Sequence, residues 1–171
     1  MSKKTKLFTI ISLFTAFSVI LGYIEFLIPF NIGIYGFKLG LANIATVIAL
    51  YLFGLKGAII ISFLRILIVN MLFGTLFSLI FSMAAGISSL IIMWLLHRFF
   101  KANIIFNSSI GGMVHNIVQL LVAFILLEAP QILYMIPILV ILGLITGIIV
   151  GIVSMVIFNR IKHYVLKMIN I

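Results

Sequence analysis

In a chain of 171 residues, 65% are hydrophobic, only 8% are charged, and the mean hydropathy is +1.48. A domain folded in water needs roughly a quarter of its residues charged to coat its surface, so this composition excludes a soluble enzyme and makes lipid the main solvent. The net charge of +9 would suggest nucleic acid in a soluble protein, but its placement along the chain gives it another meaning.

At about 20 apolar residues per crossing, the length predicts an all-α integral membrane protein. We expect about six transmembrane helices in a single domain spanning residues 1–171. Cysteine is absent, which removes disulfides, thiolate metal sites and cysteine nucleophiles together. The lysines at positions 3, 4 and 6 precede an apolar run over 7–28, too long for a signal-peptide core and closed by no cleavage pattern. It reads as a retained first helix, ended by Pro29. A loop rich in glycine and aromatic residues follows and ends at Lys38.

The second run covers 39–53 and is closed by Gly54-Leu55-Lys56-Gly57; the third covers 58–73. Gly74 separates it from the fourth, 75–96. A basic turn and a polar stretch to Ser109 lead to the fifth, 110–127. Glu128-Ala129-Pro130-Gln131 then turns the chain into the sixth, 132–158, long enough to be tilted or broken near Pro137.

Nine of the eleven basic residues (Lys3, Lys4, Lys6, Lys56, Arg98, Lys101, Arg160, Lys162 and Lys167) fall on one side of this six-run arrangement. The positive-inside rule makes that side, with both termini, cytoplasmic. The charge is therefore an orientation signal, and nucleic acid is not an expected partner. Small residues recur four apart as Gly143, Gly147 and Gly151, as Ser78, Ser82 and Gly86, and as Ser12 and Ala16. Such stripes allow close helix approach, either within the molecule or against a partner.

The informative residues are the polar ones that insertion disfavours. Arg65 lies within a span, where an arginine costs about 2.5–3.5 kcal/mol on insertion scales. The acid nearest its depth is Glu25. Arg65 is therefore either half of a structural pair with Glu25 or the receiver of an anionic or carbonyl-bearing ligand. His115, Asn116 and Gln119 are spaced to share one helix face, either bonding to neighbouring helices or walling a cavity. Glu25, Lys38, Asn43 and Asn70 converge toward the outer leaflet. The loop between Glu25 and Asn43 reads either as a lid or as an interfacial aromatic belt. His115 has no second ligand at metal spacing, and no haem or iron–sulfur ligand set is present; no metal or cofactor is expected.

Glu25…Pro29, Lys38-Leu39-Gly40-Leu41-Ala42-Asn43, Arg65 with Gly74-Thr75, Phe81-Ser82-Met83-Ala84-Ala85-Gly86 and His115-Asn116-x-x-Gln119 resemble a bacterial membrane family. It is labelled both heptaprenyl diphosphate synthase component I and Gx transporter family. The labels imply different chemistry. Prenyl diphosphate synthases hold magnesium through aspartate clusters, whereas this chain has no aspartate and two separated glutamates, Glu25 and Glu128. The resemblance thus implies at most a non-catalytic accessory subunit in isoprenoid or menaquinone synthesis. The transporter label implies similarity to the substrate-binding (S) components of energy-coupling-factor transporters. These bind vitamin-like molecules near the outer face and dock on a separate energising ATPase module, for which Ser12 and Ala16 weakly match the docking pattern. On either label the chain is not expected to be an enzyme by itself.

The charge count has a direct test: a periplasm-active reporter fused after Lys101 should be silent, and one in the loop at 30–37 should be active. The reverse pattern would invert the orientation.

Overall fold

The computed structural model describes residues 2–28 and 40–169. Its elements are α1 (Lys3–Leu27), α2 (Asn43–Phe73), α3 (Leu76–Phe100), α4 (Ile104–Leu127), a six-residue 3-10 turn (Pro130–Met135) and α5 (Ile136–Ile169). All five α-helices are long and apolar enough to cross a membrane. Polar side chains start three of them: Ser2, Thr75 and Asn103 each accept a backbone N–H of the first turn, which satisfies donors the helix itself cannot. Lys101 and Glu128 end α3 and α4 in the left-handed conformation.

The second and third apolar runs are joined within α2, but not as one straight rod. Arg65 donates to Asn43 Oδ1 at 3.2 Å, although 22 residues of continuous helix would hold them about 33 Å apart. The chain reverses at Gly54, whose φ of 70° and ψ of −168° lie in a region open essentially to glycine alone. Two antiparallel limbs result, 43–53 and 55–73. Asn43 and Arg65 each stand eleven residues from Gly54 and so meet at one height. The first limb reaches only about 16 Å, half of a hydrocarbon layer about 30 Å thick. Residues 44–50 are all buried, so this half-length limb is the axis of the bundle. A helix apolar all round belongs in such a place.

Around that axis, α4 and α5 pack closest. A Cβ on Gly112 would fall 2.3 Å from the Gly143 carbonyl oxygen. One on Gly147 would fall 2.5 Å from that of Ser108, and one on Gly151 2.8 Å from Ile105 Cα. The glycine stripe is thus intramolecular. Gly86 likewise faces Ile66 and Ser62, and Ser78 donates to Asn70 across the α2–α3 turn. By contrast, Ser12 and Ala16 are exposed and take no part in packing the bundle.

Two helix starts differ from the sequence reading. The stretch before Ser109 is not a loop, because α4 begins at Ile104 and buries Asn107, Ser108 and Ser109. Neighbouring backbone supplies what hydrocarbon cannot: Asn107 donates to Met93 O at 3.0 Å and to Tyr51 Oη at 3.0 Å. Ser109 donates to Leu144 O at 3.4 Å. The sixth run does break near Pro137. The 3-10 turn ends before it, and Pro137 sits in the first turn of α5, where its missing N–H costs nothing. That helix continues to Ile169, well past residue 158.

Two glycines should fail for opposite reasons. Gly54→Ala meets no atom within 4 Å yet should destabilise by about 1–3 kcal/mol through backbone strain alone. Gly112→Ala is strain-free in φ and should destabilise by separating α4 from α5. Thermal unfolding in detergent measures the loss. Crosslinking between cysteines introduced on α4 and α5 should fall in the second variant only.

Candidate functional site

Where the half-length limb stops, the bundle is hollow. A cavity of about 370 Å³ lies above Asn43 and between all five helices. This is within the size range of small-molecule sites. Its floor is the turn leading into α2, where the N–H groups of Asn43 and Ile44 bond back to Gly40 O at 2.9 Å and Leu41 O at 3.1 Å. Gly40 has φ of 78°, which permits that turn, and its N–H is held by the Glu25 carboxylate. Ser18 of α1 donates to Ala42 O at 3.0 Å, pinning the same turn from the side. The segment reaches mid-depth because α1 supplies polar partners for its backbone.

Arg65 occupies the wall at this level. Its side chain is half-buried, and its Nε is fully buried with no hydrogen-bond partner among the described residues. The bond to Asn43 fixes one terminal nitrogen. The expected pairing with Glu25 takes another form: that carboxylate bonds to the Gly40 N–H and attracts the guanidinium only through space. The positive end of the first limb's dipole opens on the same space, which Arg65 faces as a cation and Glu25 as an anion. Phe26 and Phe73, stacked with centroids 5.4 Å apart, both line the cavity, and Tyr23 packs on Phe73 at 4.9 Å.

Of the sequence-predicted residues, Glu25, Asn43, Arg65, Asn70, His115 and Asn116 all line this one cavity. Asn43 is deeper than a position at the outer entrance, level with Arg65. Asn70 has partners on both amide atoms, donating to Ile66 O at 2.8 Å and accepting from Ser78 Oγ at 2.6 Å. Asn116 is buried and donates to Leu139 O at 2.9 Å. Gln119 does not join the others; it lines a second cavity, of about 350 Å³, which Asn116 also touches. Asn116 and Gln119, three residues apart, do share a face, that of the second cavity, while Asn116 alone of the two also reaches the first. Lys38 and the loop read as a lid or aromatic belt lie outside the described residues.

Sequence reasoning missed the hydroxyls. Ser78, Ser82, Ser89, Ser108 and Thr146 also line the first cavity, two of them read before only as a packing stripe. Their signal was polarity on helix faces otherwise apolar. The backbone of Gly40 was also missed, because an N–H group leaves no mark in a sequence.

No curated protein matches the chain. The fold is similar to a solved structure, the S component of a bacterial ECF transporter, with a TM-score of 0.71 and 22% identity. The match covers 95% of this chain and 98% of that one. Residues 14–157 match the model of the heptaprenyl diphosphate synthase component I family. This multi-pass membrane protein therefore belongs to the heptaprenyl diphosphate synthase component I family.

Proposed function

We propose that the chain is the membrane-embedded binding component of a small-molecule uptake system, folded as one domain. The observation that carries this reading is the Arg65 guanidinium on the wall of a cavity of about 370 Å³, with its Nε buried and unpartnered among the described residues. A cation held at mid-depth by Asn43, beside a helix N-terminus, suits a carboxylate, phosphate or carbonyl group. Asn116 and His115 would orient the rest of the ligand, with Asn70 holding the wall in shape and Lys38 meeting the ligand from the loop. Gln119 would act from the second cavity. The S-component fold of the solved relative supports uptake rather than catalysis.

In the arrangement we favour, six segments lie in the membrane, the second of them reaching only halfway. Both termini and the Gly54 turn face the cytoplasm, and the cavity faces out. The placement of nine basic residues supports this orientation. The chain has no Gly-Lys-Ser/Thr phosphate loop, so energy for active transport would come from a separate ATPase module. The exposed Ser12 and Ala16 on α1 offer a small-residue face for it.

The family description favours a second reading, a membrane subunit assisting a prenyl diphosphate synthase. With two separated glutamates and no aspartate, the chain itself would not gather magnesium around diphosphate. Its part would be to present or sequester lipid.

Native mass spectrometry of the purified protein should find a retained small molecule bearing an acid or carbonyl. Arg65→Ala should reduce its retention tenfold to a hundredfold, as losing a charged hydrogen bond of about 1.5–3 kcal/mol implies, while the protein stays inserted and folded. If Arg65→Ala retains the molecule fully but melts early, and Glu25→Gln restores its stability, then Arg65 is structural and the ligand site must move.

A further inference from the structure

The second cavity has a composition unlike the first. It lies between α3, α4, the 3-10 turn and α5, and its volume is about 350 Å³. Phe81, Leu120, Ala123, Ile132 and Met135 wall it, and the amides of Asn116 and Gln119 are its polar contributors. Among the described residues, no charged side chain lines it. It is almost as large as the Arg65 cavity and opens outward beside Leu127, which also lines it and is 56% exposed. Wall atoms around an empty space of this size would lack dispersion partners. Water is a poor filler, because each molecule needs two to four polar partners and apolar cavities stay dry.

Asn116 lies on the wall of both cavities. Its Nδ2 donates to Leu139 O, and Leu139 also lines the second cavity. The two spaces thus meet at a single amide and its hydrogen bond. We propose that they form one bipartite site for an amphipathic anion, with the acidic group at Arg65 and a hydrocarbon chain passing Asn116 into the second cavity. The space holds roughly ten carbon-sized atoms, at about 30 Å³ each by analogy with water. This rests on the reading of the Arg65 cavity as the ligand site and narrows its substrate class: a compact, fully polar molecule would leave half of the site empty.

Octyl phosphate and ethyl phosphate share the head and differ in the tail. Each would be titrated calorimetrically into the protein in phosphatidylcholine nanodiscs, with empty nanodiscs subtracted. Octyl phosphate should bind at least tenfold tighter. Ala123→Phe from α4 and Ile132→Trp from the 3-10 turn each fill the second cavity from a different wall. Both should bring octyl phosphate down to the level of ethyl phosphate while leaving ethyl phosphate binding intact, which also reports that the variant is folded. The proposal is overturned if octyl phosphate fails to bind, or if the two probes bind the wild type alike, as they would were a bilayer acyl chain already in the cavity. It is equally overturned if the octyl advantage survives both filled variants. Arg65→Gln separates the two readings. It should weaken both probes by the same factor, and unchanged ethyl phosphate binding would remove the head site while the tail site still stood or fell with the filled variants.

Discussion

The hydrogen bond between Arg65 and Asn43 joins two points of α2, which reverses at Gly54, and the interior of the bundle is arranged around it. An arginine within a span is costly. Here it is placed where a half-length limb ends, so that its head meets a side-chain amide and a cavity rather than lipid. The bond requires the reversal at Gly54, and the reversal requires a residue with no Cβ. The limb, in turn, is short enough to leave space above it and apolar enough to be enclosed on every side. Lengthening it would fill the cavity, and straightening it would strand Arg65.

The helices divide the remaining work. α4 and α5 approach to backbone contact through Gly112, Gly143 and Gly147, forming a stiff wall on which Asn116 is set. α1 contributes backbone anchoring: Ser18 and Glu25 hold the turn over 40–44 that closes the cavity floor. Several buried hydroxyls and amides end on backbone oxygens of neighbouring helices, as Ser89 does on Gly111 O at 2.8 Å and Asn116 on Leu139 O at 2.9 Å. This is how a membrane interior keeps polar groups without water.

The family's description and the fold's likeness to an S component need not compete. A protein that binds amphipathic anions for uptake and one that handles polyprenyl intermediates face a common physical problem: a charged head and a hydrocarbon tail must be held in one place inside a bilayer. The cavity that Arg65 and Glu25 line, beside the largely apolar second cavity, has the makings of such a place.

The amino-acid sequence by itself determined the lipid environment and singled out the candidate polar residues, because burying charge in hydrocarbon is so unfavourable that each exception is visible. It also determined the glycine stripe, whose spacing matches the helix repeat. Tertiary structure decided the rest. The reversal at Gly54 was legible as a boundary between two runs. That Asn43 and Arg65 would meet at one depth follows from equal limb lengths and a single φ angle, neither of which composition carries. Arg65 looked to Glu25 because opposite charges are the obvious pair. The fold gave Glu25 to a backbone N–H instead, and a backbone group has no letter in the sequence. Gln119 shares a face with Asn116 by helical spacing, and both line the second cavity, but only Asn116 also reaches the first. Periodicity places a residue on a side of its own helix; which helix covers that side is settled only by how the whole bundle packs.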